Sequence, residues 1–117
     1  MLRAFGFGIA ALFFPLSVAA QSVQGNYTVS GTNPDGSLYT GAAKITFEGA
    51  DCKLVMTFGN GDVAGICVQS EELLATSYVA SGALTLVLYR LQPNGVLNGT
   101  WSVAGMAGTG SEVMTPE

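Results

Sequence analysis

Turn signals recur about every 8–12 residues along most of this chain, which is the spacing of short antiparallel strands. The strongest signals are residues 33–36 (Asn-Pro-Asp-Gly), 59–62 (Gly-Asn-Gly-Asp) and 93–95 (Pro-Asn-Gly). In such segments proline presets one turn dihedral and glycine accepts a positive φ. Cutting the chain at these and at weaker breaks leaves eight segments, most of them strand-like: 25–32, 38–48, 52–58, 63–69, 73–80, 83–92, 96–104 and 108–114.

Polar and apolar residues alternate within the clearest of these segments. Residues 39–47 place Tyr39 and Phe47 on one face and Lys44 on the other, and residues 52–58 and 97–103 alternate in the same way. A period of two with one polar face is what a half-buried antiparallel strand needs. No window of about eleven residues after residue 20 has a convincing helical period. The sequence therefore predicts an all-β domain.

Eight short strands joined by tight turns predict an eight-stranded antiparallel up-and-down meander. Closure into a small barrel would remove the exposed edges that invite aggregation, and a sandwich is the alternative. The sixth segment is apolar on both faces, with Leu84, Leu86 and Leu88 against Val87 and Tyr89. We therefore expect this strand to be central or covered from outside, for example by a partner subunit.

Residues 1–20 are predicted to be a signal peptide. Arg3 supplies the positive start, residues 4–14 form an apolar run, and small residues precede a cleavage site after Ala20. The run is shorter than the roughly 18 residues that a retained membrane helix requires. The mature chain is then a single domain over 21–117, periplasmic or secreted, with no stable membrane anchor.

Two cysteines, Cys52 and Cys67, are predicted to form a disulfide, since an even pair in an exported protein most simply means one bridge. They flank the turn at 60–61 almost symmetrically, so they would face each other on neighbouring strands. A zinc site or a redox pair is less favoured, because the chain has no histidine and no Cys-x-x-Cys spacing.

Charge and residue types exclude several classes of function. Without Arg3 the chain has three cationic and eight acidic residues, a net charge of −5. Such a chain has no face for neutralising phosphates, so no nucleic-acid partner is expected. It has no histidine, no Gly-x-Ser-x-Gly motif and no phosphate loop in a βαβ context. We expect no enzyme activity, no metal and no cofactor; Glu112 with Arg90 would be the only plausible catalytic core.

Aromatic residues and one carboxylate are the candidate ligand-binding residues. The aromatic residues that offer amphipathic contacts are Tyr27, Tyr39, Tyr78, Tyr89 and Trp101, although the barrel core and rim are the favoured interpretation of such side chains. If Trp101 pairs with Gly110, then Gly99 pairs with Glu112 and the carboxylate points inward, whereas a slip of one residue turns it to solvent. An inward Glu112 would need a partner, and Arg90 is the only arginine after residue 20. We predict that Arg90 and Glu112 form a structural or ligand-lining pair, or are simply both exposed.

The strand-and-turn string resembles a family of small secreted proteobacterial β proteins. The resemblance rests on the opening string Gly25-Asn-Tyr27-Thr-Val29 with Asn33-Pro-Asp35-Gly, and on the closing string Pro93-Asn-Gly95-Val-Leu97-Asn-Gly99-Thr-Trp101 with Gly108-Thr-Gly110-Ser-Glu112. Most members are uncharacterised, and some carry a fibronectin-binding label, which implies adhesion. The layout is also similar to calycin-type barrels such as avidins and lipocalins, a likeness of architecture only.

These observations predict a non-enzymatic extracytoplasmic barrel that binds a small apolar molecule or a protein partner. Adhesion to extracellular matrix, implied by the resemblance, is one alternative. Inhibition of a basic host enzyme such as lysozyme is another, because the mature chain is small, acidic and disulfide-bearing.

Overall fold

A computed structural model describes residues 21–59 and 61–117, so the predicted signal peptide and Asn60 lie outside the described residues. Every strand pairs antiparallel with its neighbour in sequence, and the last strand pairs with the first to close a barrel. This confirms the all-β meander and decides between the closed barrel and the sandwich. The strands are β1 (Gly25–Thr32), β2 (Leu38–Glu48), β3 (Asp51–Phe58), β4 (Gly61–Ser70), β5 (Leu73–Ala80), β6 (Ala83–Leu91), β7 (Leu97–Val103) and β8 (Gly110–Pro116).

The predicted strand bounds agree with the structure to within two residues. The largest shift is in β8, which was predicted over 108–114 and is observed at Gly110–Pro116. Gly105 and Gly108 have φ values of 85° and 84°, which paired strand residues do not adopt, so the preceding loop is longer than predicted. Pro116 is accommodated because it is the terminal residue of its strand.

The two ends of the barrel differ. The closed end carries the loops at 49–50, 71–72 and 92–96, and the open end carries the loops at 33–37, 81–82 and 104–109 and the connection between β3 and β4. Residues preceding β1 cover the closed end: Val23 is buried, and its carbonyl oxygen accepts a 2.6 Å hydrogen bond from the Tyr27 hydroxyl. The interior below Val23 is filled by fully buried aliphatic side chains: Ile45, Leu54, Met56, Leu74, Leu97 and Met114.

The Cys52–Cys67 disulfide is formed between directly paired residues of β3 and β4, with a Cα–Cα distance of 5.0 Å. The pairing predicted from the turn at 60–61 is therefore confirmed. Disulfides persist mainly in oxidising compartments, and the bridge is consistent with a location outside the cytoplasm.

Replacing both cysteines by alanine should lower the free energy of unfolding by about 3 kcal/mol. The bridge closes a loop with a sequence separation of 15, and opening it restores conformational entropy to the unfolded chain. Urea denaturation of the C52A/C67A variant, beside wild type with and without a reductant, measures the loss. Equal midpoints for all three samples would contradict the prediction.

The outer surface of β4–β6 is apolar. Leu84, Leu86 and Leu88 of β6 point outward and are about half exposed, while Val87 and Tyr89 are buried inside the barrel. No element among residues 21–59 and 61–117 covers these leucines. Exposed side chains on the neighbouring strands extend the same surface: Ile66, Val68 and Val79.

Candidate functional site

A cavity of about 370 Å³ opens at the end of the barrel opposite Val23. Among the described residues that line it, none carries a charge and four are aromatic. Strand alternation places these four at inward positions near the open ends of four different strands. They are Tyr39 on β2, Phe58 on β3, Tyr78 on β5 and Trp101 on β7.

Three of these rings stand edge to face at the cavity wall. Tyr39 lies between two of them, with its ring centroid 5.8 Å from that of Phe58 and 6.3 Å from that of Trp101. The interplanar angles are 75° and 68°, which is the arrangement that ring quadrupoles favour. Rings held perpendicular in this way offer both faces and edges to a ligand.

Glu112 lies beneath this cavity and is only 1% exposed. Its Oε1 atom accepts a 2.7 Å hydrogen bond from the Tyr39 hydroxyl, and its Oε2 atom accepts a hydrogen bond from the Tyr89 hydroxyl. Both oxygens of the buried carboxylate are therefore satisfied by phenolic donors.

Strand register explains how two tyrosines reach one carboxylate. Glu112 pairs with Gly31 on one side and with Gly99 on the other, and these glycines pair in turn with Tyr39 and Tyr89. Each tyrosine passes over its glycine: a Cβ at Gly99 would lie 2.6 Å from the Tyr89 ring, and a Cβ at Gly31 would overlap the Tyr39 ring. Five neighbouring strands thus contribute one continuous row, Tyr39–Gly31–Glu112–Gly99–Tyr89.

Burial shifts the protonation equilibria of this row. Burial raises the pKa of Glu112, although the hydrogen bonds from Tyr89 and Tyr39 oppose that shift. Burial, together with the negative charge and the hydrogen bonding of Glu112, also raises the pKa values of Tyr39 and Tyr89. Burial and the charge of Glu112 raise the pKa of Tyr78 to about 12. The tyrosines therefore remain hydrogen-bond donors across the neutral pH range.

The candidate ligand-binding residues predicted from the sequence lie in different parts of the barrel. Tyr39 and Trp101 line the cavity, and Tyr89 and Glu112 lie directly below it. The register that pairs Trp101 with Gly110 and turns Glu112 inward is confirmed. Tyr27 is at the closed end, where it bonds to Val23, and does not reach the cavity.

The predicted pair between Arg90 and Glu112 is wrong. Arg90 is on the outer surface, with its Nη1 atom 3.7 Å from Oε1 of Glu72, and both side chains are mostly exposed. Arg90 follows the inward-facing Tyr89, so strand alternation turns it to solvent. Burying an arginine with Glu112 would also require desolvation of two charges, whereas two hydroxyl donors satisfy the carboxylate without a second charge.

Of the aromatic cavity residues, Phe58 was not predicted as a binding residue, and Tyr78 was named only among the aromatic side chains that serve either a binding site or the barrel core and rim. The alternation of polar and apolar residues along β3 and β5 indicates that both side chains point inward. Each lies near the end of a strand that finishes at the open end. Their convergence with Tyr39 and Trp101 depends on the order of the strands around the barrel.

Within the described ranges, no group of three or more acidic or cysteine side chains is placed to hold a metal ion. The same residues include no helix of the length and hydrophobicity needed to cross a bilayer. Comparison with protein-family models and with curated proteins finds no match to this chain.

Proposed function

We propose that this protein is a non-enzymatic, extracytoplasmic binding module whose open barrel end holds a small, largely apolar ligand. The observation that carries the proposal is the difference between the two halves of the interior. Packed aliphatic side chains fill the closed half, and the open half has a cavity surrounded by four aromatic rings.

The size and lining of the cavity support this function. Ligand sites in proteins typically have volumes of about 300–1,000 Å³, with mostly apolar walls and a few polar groups that orient the ligand. The present cavity has about 370 Å³, and Asn33 and Thr85 supply polar atoms in its wall. Removing apolar ligand surface from water against these walls contributes roughly 25 cal/mol per Å².

The rigidity of the walls also favours binding. Tyr39 is fixed by its hydrogen bond to Glu112, and Trp101 donates a 3.3 Å hydrogen bond from Nε1 to the carbonyl oxygen of Ser111. A site whose side chains are already ordered loses less conformational entropy when a ligand enters.

The predicted route outside the cytoplasm is part of the same proposal. A signal peptide over residues 1–20 would deliver the chain to the periplasm or the exterior, where the Cys52–Cys67 bridge can form. Matrix adhesion and inhibition of a basic enzyme stay predictions from the sequence. Saturable binding to immobilised fibronectin, or stoichiometric inhibition of lysozyme, would support them.

Binding of the neutral fluorescent aromatic N-phenylnaphthylamine to the mature chain tests the proposed function. Trp101 is the single tryptophan and lines the cavity, so energy transfer from it to the probe reports occupancy there. We expect saturable binding of one probe per chain. Ala80→Phe, which places a phenyl ring in the cavity, should weaken that binding at least about tenfold by competing for the same space.

Ala64→Phe is the matched control, because it adds the same ring to the exposed outer surface of β4. It should leave probe binding unchanged. Absence of saturable binding, or equal binding by the A80F and A64F variants, would show that the cavity is not the binding site. Probe bound to the apolar outer surface of β4–β6 would be insensitive to A80F.

A further inference from the structure

The cationic side chains of the described residues lie away from the open end of the barrel, whereas exposed acidic side chains are present at both ends. Asp35 in the loop at 33–37 and Asp62 near the start of β4 are the exposed acidic side chains at the open end, and no lysine or arginine of the described residues lies there. Glu112 adds a third acidic group beneath the cavity. The Ser37 side chain and backbone N–H donate hydrogen bonds to Oδ1 of Asp35, and these bonds lower the pKa of Asp35.

The cationic side chains of the described residues are far from the cavity. Each of the three is four or five residues along its own strand from a residue that lines the cavity, which corresponds to roughly 13–17 Å. Two of them form exposed ion pairs with Glu48 and Glu72 at the closed end. The three are Lys44 on β2, Lys53 on β3 and Arg90 on β6.

The buried carboxylate has hydrogen-bond donors but no counter-charge within the described part of the chain. Tyr39 and Tyr89 satisfy its oxygens, and no cationic side chain lies beside it. The Tyr39 ring is both a donor to Glu112 and a wall of the cavity. A positive charge in the cavity would therefore be separated from the carboxylate by little more than this phenol.

Aromatic faces attract cations through the ring quadrupole, most strongly for tryptophan and tyrosine, and cages of such rings bind quaternary ammonium groups. The cavity combines that kind of wall, made of Trp101, Tyr39, Tyr78 and Phe58, with an acidic group below and acidic residues at the rim. An anionic ligand such as a fatty acid would meet negative charge at every one of these points.

From this combination we infer that the cavity selects a small organic cation, an alkylated ammonium group seated among Trp101, Tyr39, Tyr78 and Phe58 above Glu112. This inference rests on the proposed binding function and names the chemical class of its ligand. Glu112 acts through Tyr39, as a positioning and charge-compensating residue, and the rings make the direct contact.

Three probes of nearly one shape test the inference on the wild-type mature chain. They are choline, its uncharged carbon isostere 3,3-dimethyl-1-butanol, and the anionic 3,3-dimethylbutanoate, each titrated against Trp101 fluorescence at constant ionic strength. We expect choline to bind at least about tenfold more tightly than the alcohol, which corresponds to about 1.4 kcal/mol. The carboxylate should bind more weakly than the alcohol.

The contribution of Glu112 is tested by Glu112→Gln, whose amide can still accept from one tyrosine and donate to the other. We expect the ratio of choline to alcohol affinity to fall several-fold, because the amide removes the negative charge below the rings. Glu48→Gln makes the same change of charge at the closed end and should leave the ratio as in wild type. Because the comparison of the three isosteres uses the wild-type chain, it tests the preference for a cation even if E112Q does not fold.

The outcomes separate this inference from the function on which it rests. If the neutral naphthylamine probe binds in the cavity but choline binds no better than the alcohol, the preference for a cation is overturned and the binding function stands. If neither the naphthylamine nor any of the three isosteres binds, the binding function itself fails.

Discussion

Raising the pH above about 10 is expected to unfold the barrel, with Tyr39 and Tyr89 ionising only as the fold is lost. Burial raises the pKa of all four tyrosines above the model-compound value of 10.0, and the charge of Glu112 adds to the shift for Tyr39, Tyr78 and Tyr89. A group whose pKa is raised by folding contributes stability that is fully present below its unfolded pKa and is lost as the pH rises. The transition should therefore lie on the alkaline side.

The size of the effect follows from linkage. Each tyrosine that stays neutral in the fold but ionises in the unfolded chain lowers the free energy of unfolding by about 1.4 kcal/mol per pH unit. Tyr39 and Tyr89 together lower the free energy of unfolding by nearly 3 kcal/mol per pH unit. A free energy of unfolding of about 5 kcal/mol is therefore lost within about two pH units.

Parallel titrations by tyrosinate absorbance and by far-ultraviolet circular dichroism measure this coupling. We expect little ionisation near pH 10 and then a rise in absorbance that coincides with loss of β-sheet signal. In urea, where the chain is unfolded, all the tyrosines should ionise near their ordinary value. Ionisation of Tyr39 or Tyr89 in a barrel with an intact spectrum would contradict the buried hydrogen bonds to Glu112.

Tyr89→Phe should lower the free energy of unfolding at neutral pH by about 3 kcal/mol. The variant removes the only hydrogen-bond donor to Oε2 of Glu112 seen among the described residues and leaves half of a buried carboxylate unsatisfied. The ring remains, so packing against Gly99 is preserved and the loss is electrostatic rather than steric.

The cost of Y89F should also depend on pH. Burial already raises the pKa of Glu112, and loss of a donor to the charged form raises it further. Stability that a raised carboxyl pKa provides is fully present below the unfolded value of 4.5 and is lost as the pH rises through the folded value. The loss of stability in Y89F relative to wild type should therefore increase as the pH rises.

Tyr27→Phe is the matched control for Y89F. Its hydroxyl donates to the neutral carbonyl of Val23, so the loss should be about 1 kcal/mol. That loss should be nearly the same at about pH 4 and about pH 8, because neither partner of this bond titrates in that range. Urea denaturation of both variants at the two pH values provides the comparison. Equal, pH-independent losses in Y89F and Y27F would show that Glu112 does not depend on the Tyr89 hydroxyl.

The chain's local chemistry was enough to identify the strands. Turn residues such as Pro34-Asp35-Gly36 act within a few positions, and a period of two is visible within a single strand, so strand bounds could be predicted to within two residues. The same locality identified the disulfide, because Cys52 and Cys67 lie on one hairpin and face each other whenever that hairpin forms.

Only the order and register of the paired strands decided which side chains meet Glu112. Tyr39 is 73 positions away in sequence and reaches the carboxylate because β8 returns to pair with β1, beside β2. Alternation alone could exclude Arg90 as a partner of Glu112 once Tyr89 was known to face inward. It could not predict that two tyrosines, crossing Gly31 and Gly99, would donate hydrogen bonds to the carboxylate. Local rules fix the direction of each side chain relative to its own strand, whereas the order and register of all eight strands fix its neighbours. The cavity and the row of residues beneath it belong to that second, tertiary level.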